Sequence, residues 1–131
     1  MTYLTPLDPS ERQIRHLTLT SSVPERILQC ALHTVSQASS PEYTALSYVW
    51  GDEKIRSTIE INGQMTSITT NLDTALRNLW QKQGEGVLVW ADAICINQAD
   101  DKEKASQVRM MGDVYSNGKV LPAQILHGMS F

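Results

Sequence analysis

Six residues could form a polar site in this chain, and each lies at or after the end of an apolar run. They are Trp50, Gly51, Asp92, Asn97, Gln98 and Glu103. Carboxylates can donate or accept a proton during a reaction, so Glu103 and Asp92 are the candidate catalytic residues. The indole of Trp50, the turn at Gly51 and the amides of Asn97 and Gln98 are candidates for binding a cofactor or ligand.

The two candidate carboxylates and the neighbouring Cys95 have structural interpretations. Asp92 directly follows an apolar run, where a carboxylate can cap a loop or pair with an arginine. Glu103 stands three residues after Asp100, the spacing of a capping box that opens a helix. Cys95 lies between two isoleucines, which predicts a small buried hydrophobe rather than a nucleophile.

Two apolar runs must position the candidate residues. Residues 43–50 and 87–91 read as strands, and the second lacks alternation, as expected for a strand covered on both faces. If the two strands are parallel, their carboxyl ends meet at the edge of the sheet where ligands bind in open α/β folds. The N-terminus of the next helix would favour an anionic group such as a phosphate. The sequence therefore predicts a polar cleft at this edge.

The remaining elements complete an α/β pattern with a partly parallel sheet. Residues 14–20 and 27–35 read as strands, and Asn62-Gly63 predicts a β-hairpin. Asn71 is the predicted N-cap of a helix that Gly84 ends. A second helix spans residues 100–115 and precedes a short strand at 120–126. Its predicted buried stripe is Ala105, Val108, Met111, Val114 and Tyr115.

Composition and charge exclude several classes of function. The 131 residues suffice for one domain, and 11 basic against 14 acidic residues, without a basic run, argue against binding nucleic acid. No apolar run approaches the roughly 20 residues of a membrane span. Cys30 and Cys95 lack paired spacing and the histidines are scattered. We therefore expect no metal site and a reducing, cytoplasmic setting.

Two segments resemble the signature blocks of the fungal heterokaryon incompatibility (HET) domain. They are Tyr43-Thr-Ala-Leu-Ser-Tyr-Val-Trp-Gly51 and Trp90-Ala-Asp-Ala-Ile-Cys-Ile-Asn-Gln98. The resemblance continues through Glu103, Gln107 and Tyr115. It covers residues 12–120, between an irregular lead-in at 1–11 and a divergent tail at 121–131.

The resemblance implies a module for non-self recognition and programmed cell death that acts through a protein partner or self-assembly. It also implies a TIR-like, flavodoxin-like α/β fold, and it leaves open an enzyme that cleaves NAD or a related nucleotide. After Tyr115 the family usually continues into a strand that this sequence does not match. We therefore expect a domain truncated at its C-terminal end, with an exposed sheet edge and marginal stability. An inactive fragment is the third alternative.

Overall fold

A seven-stranded mixed sheet forms the centre of the molecule. The computed structural model describes residues 6–39, 41–47 and 52–122. The strands are β1 (Gln13–Ser21), β2 (Gln29–Ser36), β3 (Thr44–Ser47), β4 (Arg56–Ile61), β5 (Gln64–Thr69), β6 (Leu88–Trp90) and β7 (Lys119–Pro122). The helices are α1 (Thr70–Gln83), α2 (Asp92–Cys95) and α3 (Asp101–Asn117), and short 3-10 turns lie at Pro9–Glu11 and Gln37–Ser39. The strand order across the sheet is β5-β4-β2-β1-β6-β3-β7.

One half of the sheet is parallel, as the sequence predicts. β3 pairs in parallel with β6, where Thr44 lies opposite Val89, and with β7 along all four of its residues. The strand predicted near residue 120 therefore forms, as β7. It covers one side of β3, where the sequence had led us to expect a missing strand and an exposed edge. Trp50 and Gly51, beyond the end of β3, lie outside the described residues.

The other half of the sheet is built largely from antiparallel pairs. β1 pairs with β2, and β4 pairs with β5 through the predicted hairpin. Asn62 and Gly63 both have positive φ angles, 51° and 80°, as a two-residue hairpin turn of type I′ requires. Two residue pairs join β2 to β4 in parallel. The Asn62 amide extends this junction, because its Oδ1 accepts from the Leu32 N–H at 2.9 Å and its Nδ2 donates to the Leu32 carbonyl at 3.3 Å.

Helix α1 packs through an apolar stripe that the sequence predicts correctly. Its buried side chains are Leu72, Ala75, Leu76 and Leu79, and Gly84 ends it with a φ of 80°. The predicted N-cap is wrong by two residues. Thr69, not Asn71, caps the helix by accepting from the Leu72 N–H at 3.3 Å.

Helix α3 buries only part of the stripe predicted for it: Val114 is buried, and Met111 and Tyr115 are partly buried against the core, as predicted. Its buried residues are Glu103, Gln107, Met110 and Val114, whereas Ala105 is exposed and Val108 is 56% exposed. Glu103 and Gln107 are buried at the N-terminal half of the helix because strand β1 offers them polar partners. Gln107 donates to the Gln13 carbonyl at 3.0 Å, and Glu103 binds an arginine of the same strand.

The core lies between the sheet and these helices. Trp90 and Val89 on β6 are completely buried, which confirms that this strand is covered on both faces. Within the described ranges, no helix combines the length and apolar character needed to cross a bilayer.

Candidate functional site

Four of the six predicted site residues lie in one continuous segment at the carboxyl end of β6. Asp92 is the first residue of α2, Asn97 and Gln98 lie in the loop between α2 and α3, and Glu103 lies in the first turn of α3. Because β3 and β6 are parallel, the carboxyl end of β3 lies at this same edge. The four described residues therefore lie at the edge of the sheet that the sequence predicts for them.

Glu103 is buried and held by a buried arginine. Its two carboxylate oxygens accept from Nη1 and Nη2 of Arg15, each at 2.7 Å, and the two side chains are only 5% and 3% exposed. Arg15 Nη1 also donates to the Cys95 carbonyl at 3.1 Å. The Glu103 carboxylate accepts a third bond from the Asn97 N–H. This ion pair therefore links β1, the end of α2, the loop and α3.

The predicted capping box is half correct. The Asp100 side chain caps α3 by accepting from the N–H groups of Lys102 and Glu103 at 3.1 Å each. The Glu103 side chain does not complete the box, because it bonds Arg15 and the Asn97 N–H. A buried carboxylate that already accepts two bonds from a guanidinium and one from a backbone N–H is poorly placed to contact a ligand. This arrangement favours the structural interpretation of Glu103.

The amides of Asn97 and Gln98 shape the loop between α2 and α3. Asn97 Oδ1 accepts from the Ala99 N–H at 3.1 Å, and Gln98 Nε2 donates to the carbonyls of Asp92 and Ile96 at 2.9 and 3.3 Å. Both residues also line a groove of about 330 Å³ between this loop and the β4–β5 hairpin. The other lining residues are Arg56, Ile61, Thr66, Ser67, Ile68, Ala93, Ile94 and Ala99. The lining of this groove therefore combines apolar side chains with amides, hydroxyls and an arginine.

Asp92 is half-buried and lies close to Tyr115. Burial, and then the charge of Asp92, raise the pKa of Tyr115. Tyr115 in turn packs edge-on against Trp90, with ring centroids 5.5 Å apart. The negative charge of Asp92 therefore acts on a tyrosine that packs against the last residue of β6.

Cys95 is fully buried, as predicted, and does not resemble a nucleophile. Its Sγ accepts from the Ala91 N–H at 3.4 Å and donates to the Val89 carbonyl at 3.8 Å. Burial raises the pKa of this thiol to about 12, so it stays protonated near neutral pH. Among the described residues, no three His, Cys, Asp or Glu side chains are grouped to hold a metal ion.

Sequence reasoning missed Arg15, which holds the site together from β1, 88 residues before Glu103 in the sequence. Arg15 stands between Ile14 and His16, and all three are buried. A buried guanidinium requires an anionic or carbonyl partner. An arginine within a predicted strand that has apolar residues on both sides of it was therefore the signal in the sequence. It indicated that a carboxylate such as Glu103 packs against this strand.

Comparison with known proteins identifies the family. The model of the heterokaryon incompatibility protein (HET) family matches residues 43–127, which include β3, the hairpin, the α2–α3 loop and α3. The chain belongs to the heterokaryon incompatibility family. Heterokaryon incompatibility protein 6, OR allele, of Neurospora crassa is 39% identical over 102 residues. That alignment covers 69% of this chain and 15% of the Neurospora protein. No solved structure matches the chain.

Proposed function

We propose that this chain is a heterokaryon incompatibility module that triggers cell death in fungal non-self recognition by contacting another protein inside the cell. One observation carries the proposal beyond family membership. The family motif from Asp92 to Glu103 forms a single hydrogen-bonded loop, in which Arg15 and the Asn97 N–H occupy the Glu103 carboxylate. A motif used in this way maintains the shape of a surface, which suits recognition better than proton transfer.

We also propose that the fold is related to the TIR and flavodoxin-like group. The parallel strands β6, β3 and β7 support this relation, because α3 connects β6 to β7 across β3 as a crossover helix. The antiparallel strands β1 and β2 are additions that this relation does not explain.

Inducible expression in a filamentous fungus tests the cell-death proposal. We expect the wild-type chain to arrest growth and admit a vital dye. Gln98→Ala should weaken that response at equal abundance, because Gln98 is exposed and holds the loop through two carbonyls. Lys104→Gln, at an exposed position on α3, is the matched control and should behave as wild type. Surviving hyphae that accumulate folded wild-type chain would contradict the proposal.

The second candidate function is the cleavage of NAD or a related nucleotide, with Asp92 as the reacting carboxylate. Its support is the position of Asp92 at the carboxyl end of β6, half-buried and close enough to affect Tyr115. Purified protein should then release nicotinamide from NAD. Asp92→Asn should abolish release while leaving the urea midpoint unchanged within error. No release by folded wild-type protein would remove this candidate.

A further inference from the structure

The groove between the α2–α3 loop and the β4–β5 hairpin has a single kind of charge in its lining. Among the described residues that line its volume of about 330 Å³, Arg56 alone is charged. The others are apolar, hydroxyl or amide side chains, with Ile68 and Ile94 among the apolar ones and Asn97 and Gln98 supplying the amides. The groove therefore fits an apolar occupant that carries a negative charge.

The Arg56 guanidinium is held in place by neutral acceptors. Its Nε donates to Ser67 Oγ at 2.9 Å, its Nη2 to the Ser67 carbonyl at 2.9 Å and its Nη1 to the Glu53 carbonyl at 3.3 Å. Arg56 is exposed, and within the described ranges its guanidinium forms no ion pair with a carboxylate. Because a guanidinium has five N–H groups, some of its donors remain for a ligand. A cation fixed in this way loses little side-chain entropy when it binds an anion.

Strand β5 brings an unpaired backbone edge to the same groove. In the described part of the chain it has β4 on one side and no strand on the other. The two-residue turn makes Ile61 and Gln64 a hydrogen-bonded pair, and such pairs then alternate along the hairpin. The N–H of Ser67, which lines the groove, therefore points away from β4. A peptide backbone can pair with this edge, whereas a small anion would leave it unpaired.

The guanidinium at this edge determines which strand can pair with β5. A second copy of β5 would bring two arginines together, and like charges on neighbouring strands are destabilising. Residues Gln64–Thr69 contain no acidic side chain that could compensate. A strand with an aspartate or glutamate near Ser67 would instead place a carboxylate beside the Arg56 guanidinium and form a charge-assisted hydrogen bond. Charge complementarity thus favours an acidic segment of a different protein.

The two faces of the hairpin indicate which other side chain such a segment needs. Side chains alternate along each strand, so Arg56 and Ser67 lie on one face and Thr66 and Ile68 on the other. All four residues line the groove, which therefore reaches both faces at the edge of the sheet. Adjacent residues of an added strand also point to opposite faces. A residue next to the carboxylate would therefore meet the apolar lining at Ile68.

We propose that this groove and the adjoining edge of β5 bind an extended segment of a partner protein in which an apolar residue lies next to an aspartate or glutamate. The backbone of the segment pairs with β5 at Ser67, its carboxylate binds Arg56, and its apolar side chain packs against Ile68 and Ile94. The inference rests on the proposed function in one respect, because it names the chemistry of the protein that the module contacts.

Fluorescence anisotropy of labelled peptides with the purified chain tests the charge preference. A short peptide that alternates valine and glutamate should bind, whereas one that alternates valine and lysine should not. Arg56→Gln should weaken binding of the glutamate peptide by about tenfold, because it removes the charge-assisted bond. Lys54→Gln is the matched control. It removes the same charge from an exposed position close in sequence that does not line the groove, and it should bind as wild type does.

A second variant tests the groove without changing Arg56. Ala99 is exposed and lines the groove, so Ala99→Trp should fill it and weaken binding of the glutamate peptide by more than about tenfold. Ala105→Trp, at an exposed position on α3 outside the groove, should not affect binding. Circular dichroism of each variant shows that it is folded. In the wild-type chain, amide NMR shifts caused by the peptide should be largest around Ser67 and Gln98.

Several results would overturn the proposal. They are no binding of the glutamate peptide at millimolar concentration, equal binding of both peptides, and equal losses from Arg56→Gln and Lys54→Gln. Octanoate that binds as tightly as the glutamate peptide would also do so, because the groove would then take a small amphipathic anion. A chain that arrests fungal growth without binding the peptide would overturn this inference alone, whereas one that binds the peptide without arresting growth would contradict only the cell-death proposal.

Discussion

Removing Arg15 should destabilise the fold severely, because it leaves the Glu103 carboxylate buried without its cation. In Arg15→Met the carboxylate, only 5% exposed, loses both guanidinium bonds and keeps one backbone donor. Breaking a buried ion pair by removing one partner costs about 3–5 kcal/mol. With an unfolding entropy of about 2.1 cal/mol/K per residue, this lowers Tm by about 10–18 °C.

Urea unfolding followed by circular dichroism measures this effect against a matched surface pair. Arg12 and Asp113 also join the start of β1 to α3, but their side chains are 50% and 62% exposed. Arg12→Met should therefore cost less than about 1 kcal/mol. The difference between the two methionine variants isolates the contribution of burial.

A double variant separates lost charge pairing from lost packing. Arg15→Met combined with Glu103→Leu removes both buried charges, so it should recover at least about 2 kcal/mol relative to the sum of the single variants. The remaining loss comes from the Asn97 N–H and the Cys95 carbonyl, which lose their partners. A loss below about 1 kcal/mol for Arg15→Met, or an additive double variant, would refute the proposed role of the ion pair.

Three further predictions follow from buried groups and from the hairpin. Burial lowers the pKa of His16 to about 4, with a smaller contribution from His33. On acidification the imidazole is therefore protonated in the unfolded chain at a higher pH than in the folded chain. The free energy of unfolding should fall by roughly 3 kcal/mol as the pH drops from about 6.5 towards 4. His16→Leu should flatten this part of the urea-midpoint profile, and an unchanged slope would contradict the assignment. Cys30 and Cys95, whose pKa values burial raises to about 12, should react with a thiol reagent at pH 8 only after unfolding; labelling in the native state would contradict this. Asn62→Ala should cost about 1–3 kcal/mol in urea unfolding, because it removes two hydrogen bonds to β2 and places alanine at positive φ; an unchanged midpoint would show that the amide does not hold the hairpin.

Local patterns in the sequence were sufficient wherever the deciding contacts are local. The hairpin at Asn62-Gly63 and the apolar stripe of α1 depend on residues within a few positions of one another, and both form as predicted. The parallel pairing of β3 and β6 also follows the prediction, because two apolar runs separated by a helix favour that arrangement. The family itself could be identified from two short segments, and the family model matches a range that includes both of them.

The faces of α3 and the role of Glu103 depend on tertiary contacts that no local pattern contains. Periodicity favoured burying Val108, yet Glu103 and Gln107 are buried instead, because Arg15 and the Gln13 carbonyl lie 88 and 94 residues away in sequence but within hydrogen-bonding distance. The contact with Arg15 also occupies the carboxylate of Glu103, one of the two that the sequence suggested for catalysis. The amino-acid sequence alone therefore determined the family, most of the elements and the edge of the sheet where the motif lies. Only the packing of β1 against α3 decided whether Glu103 is a free carboxylate or holds the loop in place. The reason is that a buried carboxylate needs a cation, and here Arg15 supplies it from a part of the chain far away in sequence.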